Sequence, residues 1–168
     1  MDRTPATRRT GSLVAFGTLA LAAGVLVYLT GRDPAHAWLI PAVPALAGHD
    51  LFGPVGQWLP SFVHPFAFGL FTAALLRPTP AMRATACASW FAIDVAFEFA
   101  QHPACKPFWS EALRLHAESA AIPRAVMGYA LRGTFDAGDL LAIGLGAASA
   151  ACLLHIVDRR REARHAGP

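Results

Sequence analysis

The sequence holds a single lysine, Lys106, against thirteen arginines, and only three cysteines in 168 residues. Charged residues make up 15% of the chain, where a soluble domain of this size carries about a quarter. The cysteines, Cys87, Cys105 and Cys152, are odd in number and form no CxxC pair, so neither a disulfide framework nor a zinc site is indicated. Cys87 and Cys152 lie inside apolar runs and read as small core residues. The chain also has no HExxH, no GxSxG and no Cys–His pair in a recognisable motif, so no familiar catalytic signature is present. A net charge of +3 could point to nucleic acid. The arginines argue otherwise, because they gather at the ends of apolar runs and build no mixed basic and aromatic surface.

What remains is apolar. Hydrophobic residues make up 55% of the chain and the mean hydropathy is +0.41. That balance, with long uncharged runs, predicts an integral membrane protein. The arginine bias and abundant alanine read as the product of a GC-rich bacterial genome.

Four runs predict spanning helices, at about 11–30, 61–77, 84–101 and 139–157. The expected fold is therefore all-α: a polytopic bundle of four helices forming one transmembrane domain over 11–157. Residues 1–10 precede it and a basic tail, 158–168, follows. Ala35–Ala47 is apolar but short and flanked by prolines, and reads as a surface loop with Trp38 and Trp58 at headgroup depth. Nine arginines fall on one side of these spans: Arg3, Arg8, Arg9, Arg77, Arg83, Arg159, Arg160, Arg161 and Arg164. The other side has Arg32, Lys106, Arg114, Arg124 and Arg132. The positive-inside rule then puts both termini in the cytoplasm. Arg8-Arg9, the apolar run and Ala35-His36-Ala37 also resemble a cleaved signal peptide, but the run is longer than a usual signal core, and an uncleaved span is expected.

Between the third and fourth spans, Ser110 predicts the cap of a helix starting at Glu111. Leu113, Ala117 and Ala120 would form its apolar face. Pro123 restarts the chain towards a second helix that ends near Arg132-Gly133. These would be short interfacial helices, or an ordinary connecting loop.

The polar residues inside the spans are the informative ones. Asp94, Glu98 and Gln101 share one helical stripe with Cys87 and Trp90. In the predicted topology His64, Glu98, Gln101, Asp136 and Asp139 all come to the outer ends of their helices, with Asp94 a turn deeper. A carboxylate at the centre of a spanning helix costs on the order of 2.5–3.5 kcal/mol on insertion scales. An average interhelical hydrogen bond returns only about 0.6 kcal/mol. A cluster of His64, Asp94, Glu98, Gln101, Asp136 and Asp139 is therefore the expected binding site, and a purely structural clamp is the alternative. His64 or Arg132 would supply a countercharge. Ala142, Gly146 and Ala150, with Gly144 and Ala148 on a neighbouring face, predict close packing of the fourth span, with the third as its natural partner. His155 stands alone, and His36, His49, His116 and His165 read as solvated.

These residues resemble a known pattern. His64 in LPSFVHPFAFGLFTAAL, Glu98 and Gln101 in FEFAQ, and GTFDAGDLLAIGLGA from Gly133 to Ala147 are similar to the core of VanZ-like membrane proteins. The resemblance covers about Leu59 to Ala151. It departs at Ile143, where that family often has Asn, and in a longer loop before GTFD. The resemblance implies a protein of the bacterial cytoplasmic membrane. One member of that family is associated with resistance to the glycopeptide teicoplanin; no defined reaction follows.

Three functions compete. The first is an envelope protein whose outward pocket binds a lipid headgroup, an envelope precursor or a glycopeptide. The second is a membrane-embedded hydrolase or transferase acting on a lipid-linked substrate, with two carboxylates as acid and base. A divalent ion on His64, Asp136 and Asp139 is a weak variant of it. The third is a small carrier in which Asp94 and Glu98 relay protons. No cofactor and no metal is expected, and the lipid bilayer is the expected partner.

Overall fold

The computed structural model describes residues 5–31, 49, 51–76, 79–116 and 121–165. Of these, 90% are helical and none is in a strand. Six helices follow in order: α1 (Pro5–Gly31), α2 (Leu59–Leu76), α3 (Pro80–Ala100), α4 (Lys106–Leu115), α5 (Ala121–Arg132) and α6 (Ala137–His165). Single 3-10 turns at Gly53–Gln57 and Pro103–Cys105 lead into α2 and α4. Three helical stretches are long and apolar enough to cross a membrane: Thr10–Gly31, Leu59–Leu76 and Ala137–Arg160. This fits a multi-pass membrane protein. Four such helices were expected, and α3 is the one that falls short, because Arg83, Asp94 and Glu98 dilute its apolar character.

Helix α2 is the hub, packed against α1, α3 and α6. Small residues make this possible. On α1, Leu13, Gly17, Gly24 and Val27 recur at three- and four-residue steps and form the buried face. A Cβ on Gly17 would strike the Phe71 ring, and one on Gly24 would touch Val63. These contacts set α1 antiparallel to α2. Against α6, a Cβ at Gly146 would collide with the backbone carbonyl of Phe62, and one at Gly69 would press on Ala150. The small-residue stripe of α6 therefore packs most closely on α2, with α3, the partner its sequence suggested, packed beside it. Gly144, on the neighbouring face, looks towards Phe91 of α3, and Ala150 shares a buried cluster with Cys87. The physical reason lies in α2 itself: it supplies Gly69, Ala73 and Ala74 as matching small residues, which the polar stripe of α3 lacks.

Helix α2 also tolerates Pro65 in its interior, buried against Gly146. The missing N–H leaves the Ser61 carbonyl without its usual intrahelical donor. Helix α3 starts cleanly, with Thr79 Oγ1 accepting from Met82 N at 3.3 Å and Pro80 at the first helical position. Helices α4 and α5 pack on each other at the end of α3. They begin earlier than the sequence suggested: α4 at Lys106 and α5 at Ala121. Ser110 is not a cap, since its hydroxyl donates to the Pro107 carbonyl inside α4. Pro107 and Pro123 each sit in a first turn, where a missing N–H costs nothing.

Cys87 is buried as expected, but Cys152 is exposed on the outside of α6. The last helix continues well past 157, through the basic segment to His165. Arg3, Arg32, Arg77, the loop Ala35–Ala47, His36, Trp38, Ala117 and Ala120 lie outside the described residues. The same holds for the side chains of Arg8, Arg9, Arg161, Arg164 and His165.

Candidate functional site

The stripe on α3 runs Arg83, Cys87, Trp90, Asp94, Glu98, Gln101, at steps of three and four residues. Asp94, Glu98 and Gln101 are buried, at 9%, 6% and 5% exposure. Every polar member of the stripe meets a partner on another element. Gln101 Nε2 reaches Glu98 Oε2 at 3.4 Å and the Tyr129 hydroxyl of α5 at 3.5 Å. Trp90 Nε1 donates to Thr72 Oγ1 of α2 at 2.9 Å. At the far end Arg83 forms an ion pair with Asp158 of α6, with both side chains largely buried. That pair escaped sequence reading, since Arg83 was counted as a topogenic charge and Asp158 as part of the tail.

The six expected site residues divide into two groups. The first surrounds the start of α6. Asp136 stands as its N-cap: Oδ1 accepts from Gly138 N at 2.7 Å, while Oδ2 accepts from Gln57 Nε2 at 2.9 Å and Trp58 Nε1 at 3.2 Å. Glu98 Oε1 accepts the backbone N–H of Asp136 at 2.6 Å. In a capping box that N–H is held by a glutamate three residues along the same helix. Here a glutamate from α3 does the same work across the bundle. Asp139, in the first turn of α6, turns to α2 and accepts from Ser61 Oγ at 2.6 Å. Asp136 and Asp139 both stand close enough to Glu98 for their charges to be felt there. Ser61, Gln57 and Trp58 were missed as polar partners, although Trp58 had been placed near headgroup depth. The Gly138 N–H holds the Asp136 carboxyl below the usual carboxylate range, with Trp58 and Gln57 adding to this against a smaller cost of burial.

The second group is a pair. His64 Nδ1 lies 2.7 Å from Asp94 Oδ1, linking α2 to α3. The sequence grouped His64 with Glu98, Gln101, Asp136 and Asp139 at the outer ends and set Asp94 a turn deeper in the same cluster, without pairing the two. The antiparallel register of α2 and α3 decides otherwise, because it sets residue 64 beside 94 and residue 72 beside 90. Phe68 and Trp90 flank the imidazole, with ring centroids at 4.5 and 5.8 Å. Arg132 does not act as the countercharge; its guanidinium lies over Gly128 of its own helix. His155 is not alone, since Arg159 Nε approaches its Nε2 at 3.5 Å. His49 and His116 are exposed.

Beside the first group runs an apolar groove of about 370 Å³ between the starts of α2 and α6. Trp58, Leu59, Phe62, Leu141, Ala142 and Leu145 line it. Gly138 lets the Trp58 indole lie directly on α6, since a Cβ there would collide with the ring. The groove is thus lined at one place by the tryptophan that is bound to Asp136. Among the described residues no three His, Cys, Asp or Glu side chains converge to hold a metal ion. His64 is committed to Asp94, which removes the basis for a metal on His64, Asp136 and Asp139. Comparison of the chain with protein-family models, curated proteins and solved structures returns no match, so the resemblance to VanZ-like proteins finds no support there.

Proposed function

We propose that the chain is a bacterial cytoplasmic-membrane protein of VanZ-like type with four spans and both termini inside, which binds the polar headgroup of an envelope amphiphile at its outer face. Helix α3 would be the fourth span. Its 21 residues reach about 31 Å at 1.5 Å per residue, enough for a hydrocarbon core. Its polar stripe faces α2 and α6, and it turns Phe91, Ile93, Phe97 and Phe99 outward, as a lipid-facing helix would.

The observation that carries the binding reading is the groove. An apolar groove between two helices is lined at one place by Trp58, whose indole N–H donates to the Asp136 carboxylate. That is the shape of a site for a molecule with an acyl or prenyl chain and a polar head. Trp58 belongs at such a boundary, where one end of the ring is apolar and the other is wet. Native mass spectrometry of the protein released from nanodiscs tests this. The wild type should retain lipid, and L145W, which fills the groove from an exposed lining position, should release it while leaving the helical content unchanged. Equal retention by both would remove the reading.

A second reading, a hydrolase or transferase for lipid-linked substrates, draws on the His64–Asp94 pair. A carboxylate bound to Nδ1 fixes an imidazole with Nε2 free to act as a base. Among the described residues its hydrogen bond is to Asp94 and none joins it to a Ser, Thr or Cys, so the binding reading is the better supported.

A further inference from the structure

The carboxylates around Asp136 are occupied with backbone, indole, amide and hydroxyl donors. Asp94 is different. Its side chain is nine-tenths buried, one oxygen meets His64, and Oδ2 is buried with no hydrogen-bond partner. The imidazole beside it keeps 45% of its surface exposed. An ionised carboxylate so placed is costly unless a proton sits on one of the two groups. With one proton the pair is neutral, either as imidazolium and carboxylate or as imidazole and carboxylic acid.

The surroundings make access one-sided. Towards the Asp136 end, α3 presents Glu98 one turn away, α6 presents Asp139, bonded to Ser61 one turn before His64, and the α5–α6 link presents Asp136. Helix α1, whose Gly24 lies on Val63, brings Tyr28 near the level of the first turn of α2. Towards the other end the stripe passes Trp90, bonded to Thr72, and then enters the apolar core of Leu13, Leu70, Ala73, Cys87, Ala150 and Leu154. The next charged groups, Arg83 and Asp158, lie beyond that core. Among the described residues, that buried cluster places apolar side chains between the dyad and the Arg83–Asp158 pair.

We propose that His64 and Asp94 form a proton-binding dyad loaded only from the Asp136 end. A proton from water adds at Nε2 of the neutral imidazole whose Nδ1–H is held by the Asp94 carboxylate, turning a singly negative pair into a neutral imidazolium and carboxylate, and it returns to water on release. The dyad is a dead-end site that reports or stores the acidity of one compartment, not a relay through the bundle. It rests on the four-span reading, which puts the two ends in different compartments, and not on headgroup binding.

The full chain in nanodiscs, labelled with 15N-histidine and 13C-aspartate, tests the dyad. H64Q identifies the imidazole signal by NMR, and D94N identifies the carboxyl band by infrared spectroscopy. Both signals should change together as pH is varied in the wild type, and replacing either residue should alter the pH response of the other, the mark of coupled sites. Where D94N fails to fold, D94E serves, and the joint titration of the wild type needs no variant. In proteoliposomes, a pH jump on the Asp136 side should change the imidazole signal at once, and a jump on the Arg83 side should not. Independent titration, no titration, or an equal response from both sides would overturn the proposal. The L145W variant should keep the wild-type response of both signals, which separates this outcome from loss of headgroup binding.

Discussion

The two ends of the α2–α3–α6 junction are held by different means. At the Asp136 end, five elements contribute: Gln57 and Trp58 before α2, Ser61 on α2, Glu98 on α3, Tyr129 on α5, and Asp136 with Asp139 at the start of α6. Nearly every polar atom there holds a backbone group or another side chain. At the Arg83 end an ion pair among the described residues, Arg83 to Asp158, ties α3 to α6 beside an apolar core. One end is a network that fixes how a helix begins, and the other is a clamp between two helices already formed. The difference teaches that polar residues inside this bundle are not one site. Those at the start of α6 have structural duties that any ligand must share, whereas the His64–Asp94 pair has an acceptor to spare.

Replacing residues at each end sharpens that contrast. The largest effect is expected between the ends, at Gly146→Leu. Its side chain would meet the Phe62 carbonyl, a backbone group that cannot step aside, and overpacking of this kind costs about 3 kcal/mol or more. Thermal unfolding in mild detergent should show this as the most damaging single change.

Arg83→Ala comes next. Breaking a fully buried ion pair costs about 3–5 kcal/mol, and this one should cost less because Asp158 keeps 19% of its side chain exposed. The double variant R83A/D158A should recover part of the loss. If it does not, the clamp is not an ion pair in function.

Glu98→Ala would strip the partner from the Asp136 N–H and cost about 1–3 kcal/mol. Glu98→Gln keeps an acceptor and should cost less. Hydrogen exchange at the Asp136 amide should rise in the alanine variant first. An unchanged exchange rate would break the idea of a cap supplied across the bundle.

Acidity should also separate the ends. The Asp136 carboxyl is held below its ordinary range in the folded protein, so its contribution is complete above the unfolded-state value and is lost as pH falls through the folded value. Melting temperature followed into the acid range should decline less steeply in D136N than in the wild type.

The smallest effect is expected at Glu111→Ala on α4. Arg114 lowers the Glu111 carboxyl through an exposed pair of hydrogen bonds, and such surface pairs contribute little. No change in melting should be resolved.

Much of this architecture was legible in the residues. The stripe Cys87, Trp90, Asp94, Glu98, Gln101 follows from helical spacing alone, because steps of three and four return to one face whatever packs against it. The meeting of Glu98, Asp136 and Asp139 at one end followed from counting helices and alternating their direction. The pairing of small residues on α6 did not follow. Such a stripe states that a backbone comes close, and it does not say which one. The beginnings of α4 and α5 were misplaced because Ser110 and Pro123 are good boundary residues that here fall inside a first turn or beyond it.

The sequence by itself determined the periodicities: which residues share a face, where apolar runs begin and end, and which end of each helix is polar. These are local properties, fixed by 1.5 Å and 100° per residue. Only the tertiary structure decided the partners. Placing His64 on Asp94, and the small stripe of α6 closest to α2, depends on the axial register between helices. That register is set by how closely Gly69 and Gly146 let two backbones approach, and no spacing within a single helix contains it.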